Sequence, residues 1–231
     1  MKKVLAIAAA LFALVWVVVN KDSYSWHQKL TITVETPAGG VSASSVSAVS
    51  WRKQWIRWDG MGWYYDLTGE AVVVEVAPGR FLFALLKGAG TTEYMGSVAG
   101  ASIAGREGRA IDGALFDEVR DKRDRAAGVI TVPEGQYPML VTFGEIADPA
   151  SVKLVDPADL AASFGPGVRL KSVTLEVTEE AVTLGRVEGV LGWLCDHITD
   201  YRRLSGKAGA ISDNQLSNNL GPGSFVIGEC K

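Results

Sequence analysis

The chain has 231 residues, 48% of them hydrophobic, and a formal net charge of −3. That length suffices for one sizeable domain or two small ones. With Lys2, Lys3 and Lys21 set aside the remainder carries −6, which excludes a general attraction for nucleic acid or anionic lipid.

Lys2 and Lys3 precede an uninterrupted apolar run from Val4 to Val19, ended by Asn20, Lys21 and Asp22. A basic start followed by an apolar run is an export signal. The positive-inside rule puts the amino-terminal side in the cytoplasm and the remainder across the membrane. At about 1.5 Å per residue the run makes a rod of roughly 24 Å. The hydrocarbon core is about 30 Å thick, so flanking lysines must snorkel or the bilayer must thin. The bulky end Trp16-Val17-Val18-Val19 and the charge of Lys21 favour a retained anchor over residues 1–21. Ser23-Tyr24-Ser25 offers the alternative, a cut near Ser25 followed by secretion. Residues 22–27 then read as a juxtamembrane linker, 28–194 as a strand-rich exported domain and 195–231 as a loop-rich tail.

Leu30-Thr31-Ile32-Thr33-Val34 alternates apolar and polar, the pattern of a half-buried strand. Pro37-Ala38-Gly39-Gly40 is turn chemistry, and Val41 to Ser50 returns as the second strand of a hairpin. Next come Trp51, Trp55, Trp58, Trp63, Tyr64 and Tyr65, interleaved with Arg52, Lys53 and Arg57. Such rings make a binding platform for sugars or stacked bases, or a core or bilayer-proximal cluster. The second reading is preferred, with the four tryptophans kept as candidate binding residues. Ala71 to Val76 and Phe81 to Leu86 flank Pro78-Gly79, whose residues suit a type II turn. Their nearly continuous apolar character predicts burial on both faces.

Gly100 to Glu107 has the glycine spacing of a phosphate loop, but Arg106 and Glu107 stand where lysine and Ser or Thr are needed. Gly96 and Gly100 share the Gly-x-x-x-Gly spacing without a long apolar surround. A loop or short helix with tight backbone packing is expected. Ile111 to Ala127 reads as a helix, with Ile111, Leu115 and Val119 on one face and Phe116 beside it. Glu118–Lys122 and Asp121–Arg125 are i,i+4 pairs, and Gly128 is the stop. Val129 to Val132 and Tyr137 to Phe143 are strand candidates. Asp156 as N-cap with Pro157 starts a helix to Ser163, ended by Gly165. Asp148, Asp156 and Asp159 lack calcium-loop spacing, so they are read as caps. Val168 to Val177 alternates imperfectly as a strand. Ser212 to Ser224 is rich in turn formers, and Phe225-Val226-Ile227 adds a last strand.

Outside the cytoplasm the two cysteines, Cys195 and Cys230, are expected to pair. Closing that loop stabilises by about 3–4 kcal/mol in the chain-entropy model. "CDHITDYRR" places Cys195, His197 and Asp200 close together. A Cys–His nucleophile needs a free thiol, which the disulfide removes. As metal ligands Cys195, His197 and Cys230 lack finger spacing, so no metal and no cofactor is expected. His197 and Asp200 remain the candidate catalytic pair.

"VTFGEIADPASVKLVDPADLAASFGPGVRL", then "VTLEVTEEAVTLG" and "WL", resembles a group of uncharacterised bacterial single-span membrane-anchored proteins over roughly residues 70 to 195. Gly192 stands where that group has a proline before the Trp-Leu pair. The resemblance implies an anchored, exported domain and brings no activity with it. The expectation is therefore an α+β protein: one transmembrane helix, then a strand-rich domain with two or three short helices. It would sit in the bacterial inner membrane, single-pass, with its bulk in the periplasm and the bilayer around residues 4–19. Its role would be non-catalytic, binding a protein partner in the envelope, with no nucleic acid involved. The alternative is an envelope hydrolase acting on cell-wall material.

Overall fold

The alternation that begins at Leu30 runs further in both directions than its clearest five residues. In the computed structural model β1 spans Ser23–Thr36 and β2 spans Gly39–Lys53. A two-residue turn at Pro37-Ala38 joins them, and they pair from Ser23↔Arg52 to Thr36↔Gly39. The structure describes residues 23–53, 62–88, 91, 93–106, 112–125, 128–200, 202–208 and 215–229. The expected anchor lies outside these residues, and among them no helix is long and apolar enough to cross a membrane. The linker expected over 22–27 is corrected: from Ser23 onward it is strand. The reason is Trp26, which is buried in the core. Its Nε1 donates to Gln28 Oε1 at 2.8 Å, and Gln28 Nε2 donates to the Met95 carbonyl at 2.8 Å.

Four further strands complete an antiparallel sheet around this hairpin: β3 (Trp63–Glu70), β6 (Ile130–Thr131), β9 (Arg169–Thr178) and β10 (Val226–Ile227). The order is β10-β3-β2-β1-β9-β6. The imperfect alternation of β9 has a cause. Thr33 faces Ser172 and Val34 faces Leu170, so Lys171 is a bulged extra residue. It is exposed, and its Nζ lies 3.3 Å from Glu35 Oε1.

The second sheet has the order β4-β5-β7-β8, with β4 Val72–Ala77, β5 Arg80–Gly88, β7 Pro138–Phe143 and β8 Val152–Leu154. Gly79 takes φ of 70° at the β4–β5 turn, the left-handed region a type II corner requires. Leu82, Ala84 and Leu86 of β5 join Ile32, Val34, Val173 and Val74 in a core between the two sheets. Phe83 and Leu85 point the other way, to Val187, Leu191, Leu194, Leu220 and Phe225. Burial on both faces, expected from the apolar run, is what the hairpin shows.

Among the described residues six helices fill the gaps, more and shorter than expected: α1 (Val98–Ala104), α2 (Gly113–Asp124), α3 (Leu160–Phe164), α4 (Arg186–Val190), α5 (Leu194–Thr199) and α6 (Leu216–Asn219). In α2 the Asp112 carboxylate accepts from Leu115 N at 2.7 Å, and Leu115, Phe116 and Val119 are buried as expected. Asp121 pairs with Arg125 at 3.4 Å; Glu118 feels the charge of Lys122 and pairs directly with Arg106 at 2.6 Å. That pair ties the end of α1 to α2. For α3 the cap is Asp159, accepting from Ala162 N at 3.1 Å. Asp156 instead closes a local turn onto Ala158 N. The tail also needs correction. It is not a loop outside the domain, because Leu204, Leu220, Phe225 and Val226 are buried in the second core. β10 then pairs with β3 through Val226↔Glu70.

Glu70 locks these layers. Its carboxylate is buried and accepts from Arg186 N at 3.0 Å and Val187 N at 3.1 Å, the first amides of α4. Its carbonyl accepts from Ser45 Oγ at 2.7 Å. Burial pushes its pKa above the ordinary carboxylate value.

Two outcomes follow for urea unfolding. Glu70→Ala leaves the buried Val187 amide and the part-buried Arg186 amide unpaired and costs about 1–3 kcal/mol. Glu70→Gln tests the titration. Its contribution is fully present below the unfolded value of about 4.3 and is lost as pH rises through the raised folded value, so wild type loses stability relative to this variant as pH climbs. A Cβ on Gly96 would stand 2.2 Å from Tyr65 Cε2 and 2.9 Å from Trp51 Nε1. Gly96→Ala should therefore lower stability by about 1–3 kcal/mol through overpacking.

Candidate functional site

The outer face of the six-stranded sheet carries the odd positions of β1, which alternate out of the core. Register aligns Ser25 with Ser50 and Ser50 with Asp66 as one rung. His27, Ala48 and Thr68 form the next. With Arg123 of α2 and Glu179 after β9 these rungs line a groove of about 300 Å³. Asp66 is held by Arg52 at 2.7 Å, and Arg123 Nη1 reaches the Ser25 carbonyl at 3.5 Å. His27 Nδ1 lies 2.7 Å from the Glu180 carbonyl. A carbonyl only accepts, so Nδ1 donates to it. Lys29 bridges Glu180 at 2.6 Å and Glu176 at 3.7 Å. The Glu180 hydrogen bond raises its pKa.

This groove offers hydroxyls, one imidazole and charges of both signs. It suits a polar, near-neutral group rather than a highly charged one. Ser25 and His27 project from one face of β1, two residues apart, with Ser50 across from Ser25. A second cavity of about 590 Å³ lies between the β4–β5 turn, β7, β8 and α3. Its guanidinium, Arg80, is committed to the end of α3. It donates to the Ser163 and Phe164 carbonyls and lies 5.5 Å from the Phe164 ring.

The residues singled out in the sequence are scattered. His197 is half-buried on α5, its ring 5.1 Å from that of Trp193 in a T-shaped contact. Asp200, at the end of α5, is exposed and pairs with Arg202 at 3.1 Å. Neither lines either cavity. Trp51 belongs to the core, the preferred of the two readings of the aromatic cluster. It is 2% exposed, donates to the Gly96 carbonyl at 3.2 Å and packs on Tyr65 and Phe116. Trp63 is half-buried against Phe116, with Lys53 Nζ 5.9 Å from its ring. Trp55, Trp58 and Cys230 lie outside the described residues. Among the described residues no three His, Cys, Asp or Glu side chains gather as metal ligands would.

The groove residues escaped the sequence reading because Ser25 and His27 fell in the supposed linker. The signal was present: extending the alternation of Leu30 backward places both opposite Trp26 and Gln28. Comparison of the chain with protein-family models, with curated proteins and with solved structures finds no match.

Asp200→Ala should change stability by no more than about 1 kcal/mol, the range for an exposed ion pair, as measured by urea unfolding. A larger loss would show that the carboxylate supports more of the fold than its pair with Arg202.

Proposed function

We propose that the chain is a single-pass, membrane-anchored protein of the bacterial envelope. Its non-catalytic periplasmic domain binds another protein or helps to organise an envelope complex. One observation carries this reading: the apolar run from Val4 to Val19 follows Lys2-Lys3 and leads within four residues into β1. An export signal fused so closely to a layered domain makes an anchored module.

Two further features support it. The candidate catalytic pair stands apart from both cavities, while the outer-face groove has the mixed polarity of a docking surface. A periplasmic location also oxidises Cys195 with Cys230, the second cysteine of the chain. That link would fasten the chain beyond β10 to α5.

The test is fractionation of cells expressing the full chain. Recovery in carbonate-washed membranes supports the reading, provided that protease added from the periplasmic side degrades the domain and that alkylation before reduction leaves both thiols unmodified. Full-length chain free in the cytosol with both thiols alkylated overturns it. Loss of cellular function in the His197→Ala, Asp200→Ala double variant, at normal fold and membrane level, would turn the reading toward a hydrolase.

A further inference from the structure

Val19 closes the apolar run and Ser23 opens β1. The four steps between them span at most about 14 Å of extended chain. The headgroup layer is about 5–8 Å deep on each side of the hydrocarbon. On the anchored reading, on which this inference rests, the end of the sandwich where β1 starts is therefore held at the headgroups.

Register identifies which of the described residues lie at that end. Ser23 faces Arg52, Arg52 faces Tyr64, and Lys53 faces Trp63. Tyr64 is 50% exposed, although most large apolar side chains of the described residues are buried. Lys53 Nζ lies 5.9 Å from the Trp63 ring, and the Arg120 guanidinium lies 5.8 Å from the Tyr24 ring. Tyrosine and tryptophan beside cations are the side chains enriched at the membrane–water boundary. Arg52 is offset by Asp66 and Arg120 by Asp117, each at 2.7 Å. The rings therefore carry the contact more than net charge does, consistent with an acidic remainder. A tether that holds the surface at high effective concentration lets a weak contact persist.

We propose that this end of the domain, with Tyr24, Arg52, Lys53, Trp63 and Tyr64, rests on the headgroup layer of the bilayer that holds residues 4–19. β1 then rises from the membrane, and the turn at Pro37-Ala38 stands roughly 40 Å away along the strand. The groove at Ser25 and His27 opens close to the lipid surface, so its partner must itself be membrane-proximal.

The full chain is reconstituted in vesicles of phosphatidylethanolamine and phosphatidylglycerol as two variants, Tyr64→Cys and Ala38→Cys. Both positions are exposed. Each carries an environment-sensitive fluorophore, and wild-type chain taken through the same labelling sets the background from Cys195 and Cys230. Flotation reads the anchor, and quenching by a lipid with a nitroxide headgroup reads the contact. Both variants should float, with quenching at position 64 at least about twofold stronger than at position 38, given the strand length between them. Flotation with equal quenching overturns the contact and leaves the anchor standing. Failure to float overturns the anchored reading and the contact with it.

Discussion

Leu82, Ala84 and Leu86 of β5 point into the core shared by the two sheets, while Phe83 and Leu85 between them point toward the C-terminal segment. A strand with no solvated face needs a layer on each side, and the rest of the molecule supplies both. The six-stranded sheet covers one face. Helices α4 to α6 and the residues around Phe225 cover the other. Each fully buried apolar side chain contributes about 1.5–3 kcal/mol, so stripping either layer would expose an aggregation-prone hairpin. The C-terminal segment is therefore part of the fold's foundation, although its composition reads as loop.

Glu70 shows how such layers are kept in register. It ends β3, pairs with β10, accepts from β2 through its carbonyl and caps α4 through its carboxylate. A buried carboxylate facing backbone amides at a helix start meets the positive end of the helix dipole. That arrangement fixes where the outer layer sits on the sandwich. The polar groups of the outer-face groove, by contrast, sit on a sheet whose other side is fully packed. They lie at the end of the domain nearest the proposed anchor.

The strands were legible where periodicity was uninterrupted: the β1–β2 hairpin, the Pro78-Gly79 hairpin, β7 and even the short β10. The break in β9 was visible as faulty alternation, and its meaning as a bulge at Lys171 needed the partner strand. The buried face of α2 was readable because Leu115, Phe116 and Val119 follow helical spacing. The partner of Glu118 was not, because Arg106 lies outside the helix. Choosing between Asp156 and Asp159 as cap fails for a related reason. Both aspartates fit the local rule, and the burial of Leu160 and Phe164 decides which turn becomes helix. The outward face of Ser25 and His27 could be read by extending the β1 alternation backward, but their neighbours Ser50 and Asp66 could not, because cross-strand register brings these together.

The entry of the chain at β1 has a mechanical consequence. β1 lies inside its sheet, bonded to β2 from Ser23 to Thr36 and to β9 from His27 to Glu35. Tension arriving through residue 22 would run along the strand axis and load these two ladders in shear, so that many hydrogen bonds share the force at once. A chain entering at an edge strand, pulled sideways, would instead yield one bond at a time, like a zip. On the anchored reading the tether would thus reach a strand placed to resist traction, with Tyr64, half exposed, beside the point of attachment.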